Sequence, residues 1–194
     1  MFNYSVTGIA FVDNAHIKSE IYKPLYRFNS ALTVPGPAIE ALIGICRERI
    51  ASLPADCTPI DQAREVMDEV FKTFVYTPAS TTIRTTAEEA FAQRKGVCQD
   101  YAHVMLSVCR HVGLTARYIA GLLGGEGATH AWVEIYHDGR WVGLDPTHNR
   151  MDDNYITIAH GRDYRDCMLD IGIFSGCDVK QDQWVNASVH EQGY

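Results

Sequence analysis

At Gly113 the hydrophobic period of the chain changes, and this switch constrains the fold more than any other feature. Upstream, apolar residues recur at three- and four-residue spacing, which gathers them on one face of a helix. Downstream they alternate, which gathers them on one face of a strand. Helices first and strands second cannot build an alternating parallel sheet. The order therefore predicts an α+β fold, with N-terminal helices packed on an antiparallel β-sheet.

From Pro35 onward, Ile39, Leu42, Ile43, Cys46 and Ile50 describe an amphipathic helix that ends before Pro54. Thr58 as N-cap, Pro59 at the first helical position and Asp61 in the first turn open a second helix. It carries Val66, Val70, Phe71 and Phe74 along one side and is expected to stop near Pro78. Thr86 and Glu89 make a capping box for a short third helix through Arg94, with Gly96 as its left-handed stop. A fourth starts almost at once, with apolar residues Val97, Ala102, Met105, Leu106 and Cys109, and ends at Gly113. Strands are expected at Thr115 to Ala120, Thr129 to His137, Arg140 to Leu144, Tyr155 to His160 and Trp184 to His190, with another β-type run from Phe2 to Val12. The glycine-rich stretch from Gly121 to Gly127 lacks the Gly-Lys-Ser/Thr ending of a phosphate loop, so it reads as a mobile loop over a cleft.

Asp138-Gly139 is a two-residue hairpin signal that fixes a register. His137 then pairs with Arg140, Ile135 with Val142 and Val133 with Leu144, giving one aliphatic face that belongs in the core. The other face carries His130, Trp132, Tyr136, Trp141 and Asp145, with Asp145 diagonal to His130 at roughly 7 Å. A one-residue slip would place Gly143 in the aliphatic face and Asp145 on the wrong side.

Cys98 sits in the first turn of the fourth helix, where unpaired backbone N–H groups and the helix dipole stabilise a thiolate. From position alone, a packed and inert cysteine is an equal reading, and a single strand histidine is more often structural than catalytic. A thiolate needs an adjacent base, and that imidazole needs a carboxylate to fix its tautomer. Cys98, His130 and Asp145 fit nucleophile, base and orienting carboxylate.

Composition narrows the partners. The net charge of −7 repels phosphate backbones and anionic lipid heads, which excludes nucleic acid as the expected partner. No stretch approaches the ~18 apolar residues of a membrane helix, and the N-terminus lacks a basic and apolar leader pattern. The expectation is a cytoplasmic protein with no membrane contact. Cys46, Cys57, Cys98, Cys109, Cys167 and Cys177 include no C-x-x-C pair, so no zinc site and no other metal or cofactor is assigned. The rival reading, three disulfides in an exported protein, is open to thiol titration. Asp152-Asp153-Asn154 lacks calcium-loop spacing. His103 lies about 140° around the helix from Cys98 and reads as a packing or capping residue, and Asp100 as a favourable charge at the helix dipole.

The runs Arg94-Lys95-Gly96-Val97-Cys98-Gln99-Asp100-Tyr101-Ala102-His103, Thr129-His130-Ala131-Trp132-Val133-Glu134 and Trp141-Val142-Gly143-Leu144-Asp145-Pro146-Thr147 resemble the bacterial transglutaminase-like family of cysteine proteases. The resemblance covers about Phe74 to Tyr164 and continues more weakly through His160-Gly161-Arg162-Asp163-Tyr164. It implies a papain-like, transglutaminase-core α+β fold with Cys98, His130 and Asp145 as the catalytic triad. It also implies a peptide or protein amide substrate. With no repeat or linker, the chain divides only into an N-terminal extension, residues 1–30, and a catalytic domain, residues 31–194. Tyr76 is a candidate oxyanion donor, with a core aromatic as the equal alternative, and Trp132 and Trp141 are candidate cleft-lining residues. Water as the second nucleophile would make a peptidase or amidase, and an amine would make a transglutaminase. Family likeness favours hydrolysis. A non-catalytic peptide-binding module is the alternative from another class.

Overall fold

The computed structural model describes residues 24–123, 125–127, 129–151, 155–168 and 185–187. The expected strand from Phe2 to Val12 and the run Asp152-Asp153-Asn154 lie outside them. After a short 3-10 helix at Pro24–Arg27, the chain forms α1 (Pro37–Ala51), α2 (Pro59–Thr73), β1 (Val75–Tyr76), α3 (Ala87–Gln93), β2 (Lys95–Gly96) and α4 (Cys98–His111). Then follow β3 (Ala116–Leu123), β4 (Gly125–Gly127), β5 (His130–His137), β6 (Arg140–Leu144), β7 (Tyr155–Gly161) and β8 (Val185–Ala187). Four strands make one antiparallel sheet in the order β6-β5-β3-β7. The predicted α+β order stands.

Every residue of α4 from Asp100 to Arg110 is buried, because α1, α2, α3 and the sheet surround it. A helix covered on all sides presents no polar face, and a charged side chain on it must find its partners inside. Arg110 shows how. Its Nε and Nη2 donate to the carbonyl of Ala116 at 3.2 and 2.9 Å, Nη1 to Thr33 Oγ1 at 3.2 Å, and Nη2 to the Arg162 carbonyl at 2.6 Å. One guanidinium thus ties α4 to the sheet and to two loops. Burial, partly offset by Asp163, lowers its pKa to about 10.

Helix boundaries follow their caps. Thr58 caps α2 as expected and, with Asp61, completes a capping box, while Thr86 and Glu89 form the one read from the sequence. The N-cap of α1 is Gly36, which has no side chain to offer, and Glu88 reaches across from α3 instead. Its carboxylate accepts the N–H groups of Gly36, Ala38 and Ile39 at 3.0, 2.8 and 3.0 Å. A Cβ at Gly36 would lie 2.7 Å from that side chain.

Three expectations are corrected. α2 ends at Thr73, not near Pro78, because Phe74 turns extended and buries its ring against Phe91 and Tyr101, while Phe71 points to solvent at 42% exposure. The left-handed residue closing α3 is Arg94, at φ 58°, and Gly96 serves a different need. A Cβ there would strike Asp100 and Phe74 at 2.6 to 2.7 Å, so glycine lets the chain pass close under the start of α4. The glycine-rich stretch is strand at both ends rather than a loop: Gly121 lies inside β3, and Gly125–Gly127 pairs with Val185–Ala187, which is the described part of the expected final strand. Tyr26 of the short 3-10 helix is packed into the fold. It is 4% exposed, bonds His160 Nδ1 through its hydroxyl at 3.2 Å and packs edge-on against Trp141.

Candidate active site

The hairpin carries the predicted register at every pair from Val133–Leu144 to His137–Arg140, with Asp138 and Gly139 at φ 47° and 75° in the turn. Val133, Ile135 and Leu144 accordingly face the core. His130 is the first residue of β5 and Asp145 the residue after β6, so both stand at one end of the sheet. Their side chains meet, with His130 Nε2 donating to Asp145 Oδ2 at 2.9 Å. Cys98 opens α4 close enough to His130 for its charge to act on the ring and help raise the His130 pKa. The structure thus brings His130 and Asp145 into direct contact, with Cys98 near the same ring.

Asp145 is the most heavily bonded group of the cluster. Oδ1 accepts the N–H groups of Thr147 at 2.8 Å and His148 at 3.4 Å, as Pro146 turns the chain back over the carboxylate. Oδ2 accepts from His130, from His148 Nδ1 at 2.6 Å and from the Tyr155 hydroxyl at 2.7 Å. The residue is 1% exposed, and burial alone would favour its neutral form. The hydrogen bond and charge of His130, with the bonds from Tyr155 and His148, reverse this and hold the carboxyl well below the usual range. Burial likewise works against a charged His130. The hydrogen bond and charge of Asp145, with the nearby Cys98, overcome that and raise its pKa to about 9. At neutral pH the ring is therefore an imidazolium beside the Asp145 carboxylate.

His130, Asp145 and His148 hold one nitrogen or oxygen each within 4.8 Å of one another, a spacing at which three ligands can share a divalent cation. Here the carboxylate oxygen itself fills the space between the two rings, at hydrogen-bond distance from each. The geometry is that of a proton-sharing network. The relevant chemistry of these donors is hydrogen bonding to one carboxylate.

Around this network the sequence reading was incomplete. Trp132 is 3% exposed and stacks on His130 at 6.2 Å and beside Tyr155 at 4.9 Å, which makes it a wall of the site. Gly121 makes room for it, since a Cβ there would lie 2.5 Å from the indole and 2.2 Å from the Ile156 carbonyl. Trp141 does not join it: its ring contacts are Tyr26, Tyr136 and the Arg117 guanidinium at 4.2 Å. Tyr76 pairs with Gly96 on the short β1–β2 ladder and is half exposed, close enough to Cys98 that burial and the thiolate's charge raise its phenol pKa.

Asp100 does more than meet a dipole. Its Oδ2 accepts the Val97 N–H at 2.8 Å and the Thr81 hydroxyl at 2.6 Å, so it pins the chain on both approaches to Cys98. His103 is wholly buried and accepts the Tyr164 N–H at 3.1 Å, a packing role that drives its pKa down to about 4. His148 and Tyr155 went unread because neither belongs to a motif with a mechanism. The only signal for His148 was its place three residues after a candidate carboxylate. Cys46, Cys57, Cys98, Cys109 and Cys167 are all free thiols, so three disulfides among the six cysteines do not form. No helix among the described residues is long and apolar enough to cross a membrane.

The chain is similar to several known proteins. The family model for the transglutaminase-like superfamily matches residues 49–146, which include all three site residues. The uncharacterized protein Rv2569c of Mycobacterium tuberculosis is 36% identical over 124 residues, 55% of this chain and 40% of that protein. A protein-glutamine gamma-glutamyltransferase of Pseudomonas aeruginosa is 34% identical over 90 residues, 39% of this chain and 14% of that one. Among solved structures, a candidate cysteine protease from Cytophaga hutchinsonii superposes with a TM-score of 0.63 at 25% identity, over 74% of this chain and 48% of that one. The chain thus spans less than half the length of these relatives.

Proposed function

This chain belongs to the transglutaminase-like superfamily, and from that premise we propose that it is a thiol-dependent enzyme that cleaves an amide bond through a Cys98 thioester. One observation carries the reading: His130 is hydrogen-bonded to Asp145 at 2.9 Å while the Cys98 sulfur lies close enough to act on the same ring. A packed structural cysteine has no use for an imidazole lifted to about 9 beside it.

In this reading Cys98 Sγ bonds to the carbonyl carbon of a peptide or protein amide, and the carbonyl electron pair moves to oxygen. The Cys98 backbone N–H, at the open start of α4, is the first donor to that oxyanion, and the Tyr76 hydroxyl is the second. Collapse breaks the C–N bond, the imidazolium gives its proton to the departing nitrogen, and the acyl group remains on sulfur. Water then attacks the thioester as neutral His130 takes its proton. The acid leaves, and the thiolate and imidazolium are restored.

Hydrolysis makes the protein a peptidase or amidase, in line with the cysteine-protease description of the Cytophaga hutchinsonii relative. Amine transfer is the second reading. The identity to a protein-glutamine gamma-glutamyltransferase favours it, because the two reactions share every step up to the thioester. Free thiols at Cys46, Cys57, Cys98, Cys109 and Cys167 support a reducing, cytoplasmic setting as part of the proposal.

Incubation with a blocked glutaminyl peptide and a dansylated diamine separates the outcomes by mass spectrometry. Free acid in excess of conjugate is the expected result, with both products absent from Cys98→Ala. Conjugate in excess transfers the assignment to the amine reaction. Product formation that persists in Cys98→Ala overturns the thioester.

A further inference from the structure

We propose that His148 is a positioning residue that shares Asp145 with His130 and thereby sets how tightly the site holds the His130 proton. The inference builds on the roles given above to Cys98, His130 and Asp145, and adds a fourth side chain that the reaction does not itself consume.

Asp145 Oδ2 lies 2.6 Å from His148 Nδ1 and 2.9 Å from His130 Nε2, and the two rings are 5.2 Å apart at 49°. A carboxylate oxygen only accepts, so each of these nitrogens must carry a proton pointed at it. His148 thus donates from Nδ1 to the same oxygen that His130 Nε2 meets. Of the three residues His148 is the most exposed, with 41% of its side chain in solvent against 9% for His130 and 1% for Asp145. It forms the outer end of the network.

Two imidazoles on one oxygen compete. The negative charge that Asp145 directs at His148 is not available to His130, so the 2.6 Å bond limits how far the carboxylate can raise the affinity of His130 for its proton. The other groups facing this point are the Tyr155 hydroxyl, which donates to the same oxygen, and the Arg150 guanidinium, whose Nε donates to that hydroxyl at 3.0 Å. Neither is removed by changing His148. The backbone donors from Thr147 and His148 to Oδ1 also survive any side-chain substitution.

Two variants test this. His148→Leu removes the donor, keeps bulk and bars a replacing water, whereas His148→Asn places an uncharged N–H at the same distance from the backbone as Nδ1. The readout is the His130 protonation midpoint, followed by NMR of its labelled ring in the full chain. The leucine variant should move that midpoint upward by about half a pH unit or more, and asparagine should return it toward wild type. A midpoint equal in wild type and His148→Leu, or one that falls, overturns the proposal. A wild-type His130 that titrates like a free histidine, with Cys98 no more reactive than its fellow cysteines, instead overturns the catalytic reading beneath it.

Discussion

His130 and Asp145 are fifteen residues apart in sequence, and their side chains meet at 2.9 Å because one two-residue turn folds the strand ends beside each other. The contact therefore depends on register. Asp145→Asn keeps the shape and removes the charge that holds the imidazolium. It is predicted to lower the rate of Cys98 acylation on the order of 100-fold or more at neutral pH, measured with an activated ester or by alkylation.

The sign of the pH response follows from the shift at His130. A histidine whose pKa rises on folding, here from 6.5 to about 9, adds stability that is fully present below 6.5 and lost as pH climbs through 9. The shift corresponds to roughly 3 kcal/mol at most. Thermal midpoints should fall between pH 7 and 10 in wild type and change less in His130→Gln. Amide turnover should decline over the same alkaline range, because the leaving nitrogen loses its proton donor.

Glu88 caps a helix to which it does not belong. Glu88→Ala strips the carboxylate from three N–H groups at the start of α1, at a cost of about 1–2 kcal/mol. Glu88→Gln should lose less, since one amide oxygen can still accept. Urea unfolding with an unchanged slope is the check. A Glu88→Ala midpoint at the wild-type value would count against the cap.

Arg110 leaves the larger hole. Arg110→Met fills the volume but abandons the carbonyls of Ala116 and Arg162 inside the protein, with an expected loss of roughly 2–4 kcal/mol. Lysine should not rescue it, because a single ammonium cannot reach these acceptors in the planar fork geometry of a guanidinium.

Much of this arrangement could be read from residues alone, for identifiable reasons. Asp138-Gly139 allowed one turn, that turn allowed one register, and the register put His130 and Asp145 on one face. Thr58 and Thr86 announced their helices because their capping boxes are local. What escaped was non-local. Glu88 capping α1 joins residues about fifty apart, and no pattern in either segment signals it. Phe74 ended α2 early because its ring had tertiary partners in Phe91 and Tyr101, which a helical period cannot report. Trp132 and Trp141 share a face by alternation, yet only Trp132 reaches the site, because Tyr26 arrives from before α1 to take the other. His148 and Tyr155 were invisible for the same reason: their role exists only once Asp145 is folded between them.

The central claim is that His130 holds Cys98 ready as a nucleophile, and competitive alkylation tests it without any knowledge of the substrate. Limiting iodoacetamide is applied across a pH series to wild type and His130→Ala, and each cysteine is quantified by peptide mass spectrometry. Cys98 should react well ahead of Cys46, Cys57, Cys109, Cys167 and Cys177 at pH values below the free-thiol range of about 8.5, and lose that lead in His130→Ala. A Cys98 that reacts no faster than the others, or that keeps its lead without His130, would contradict the account.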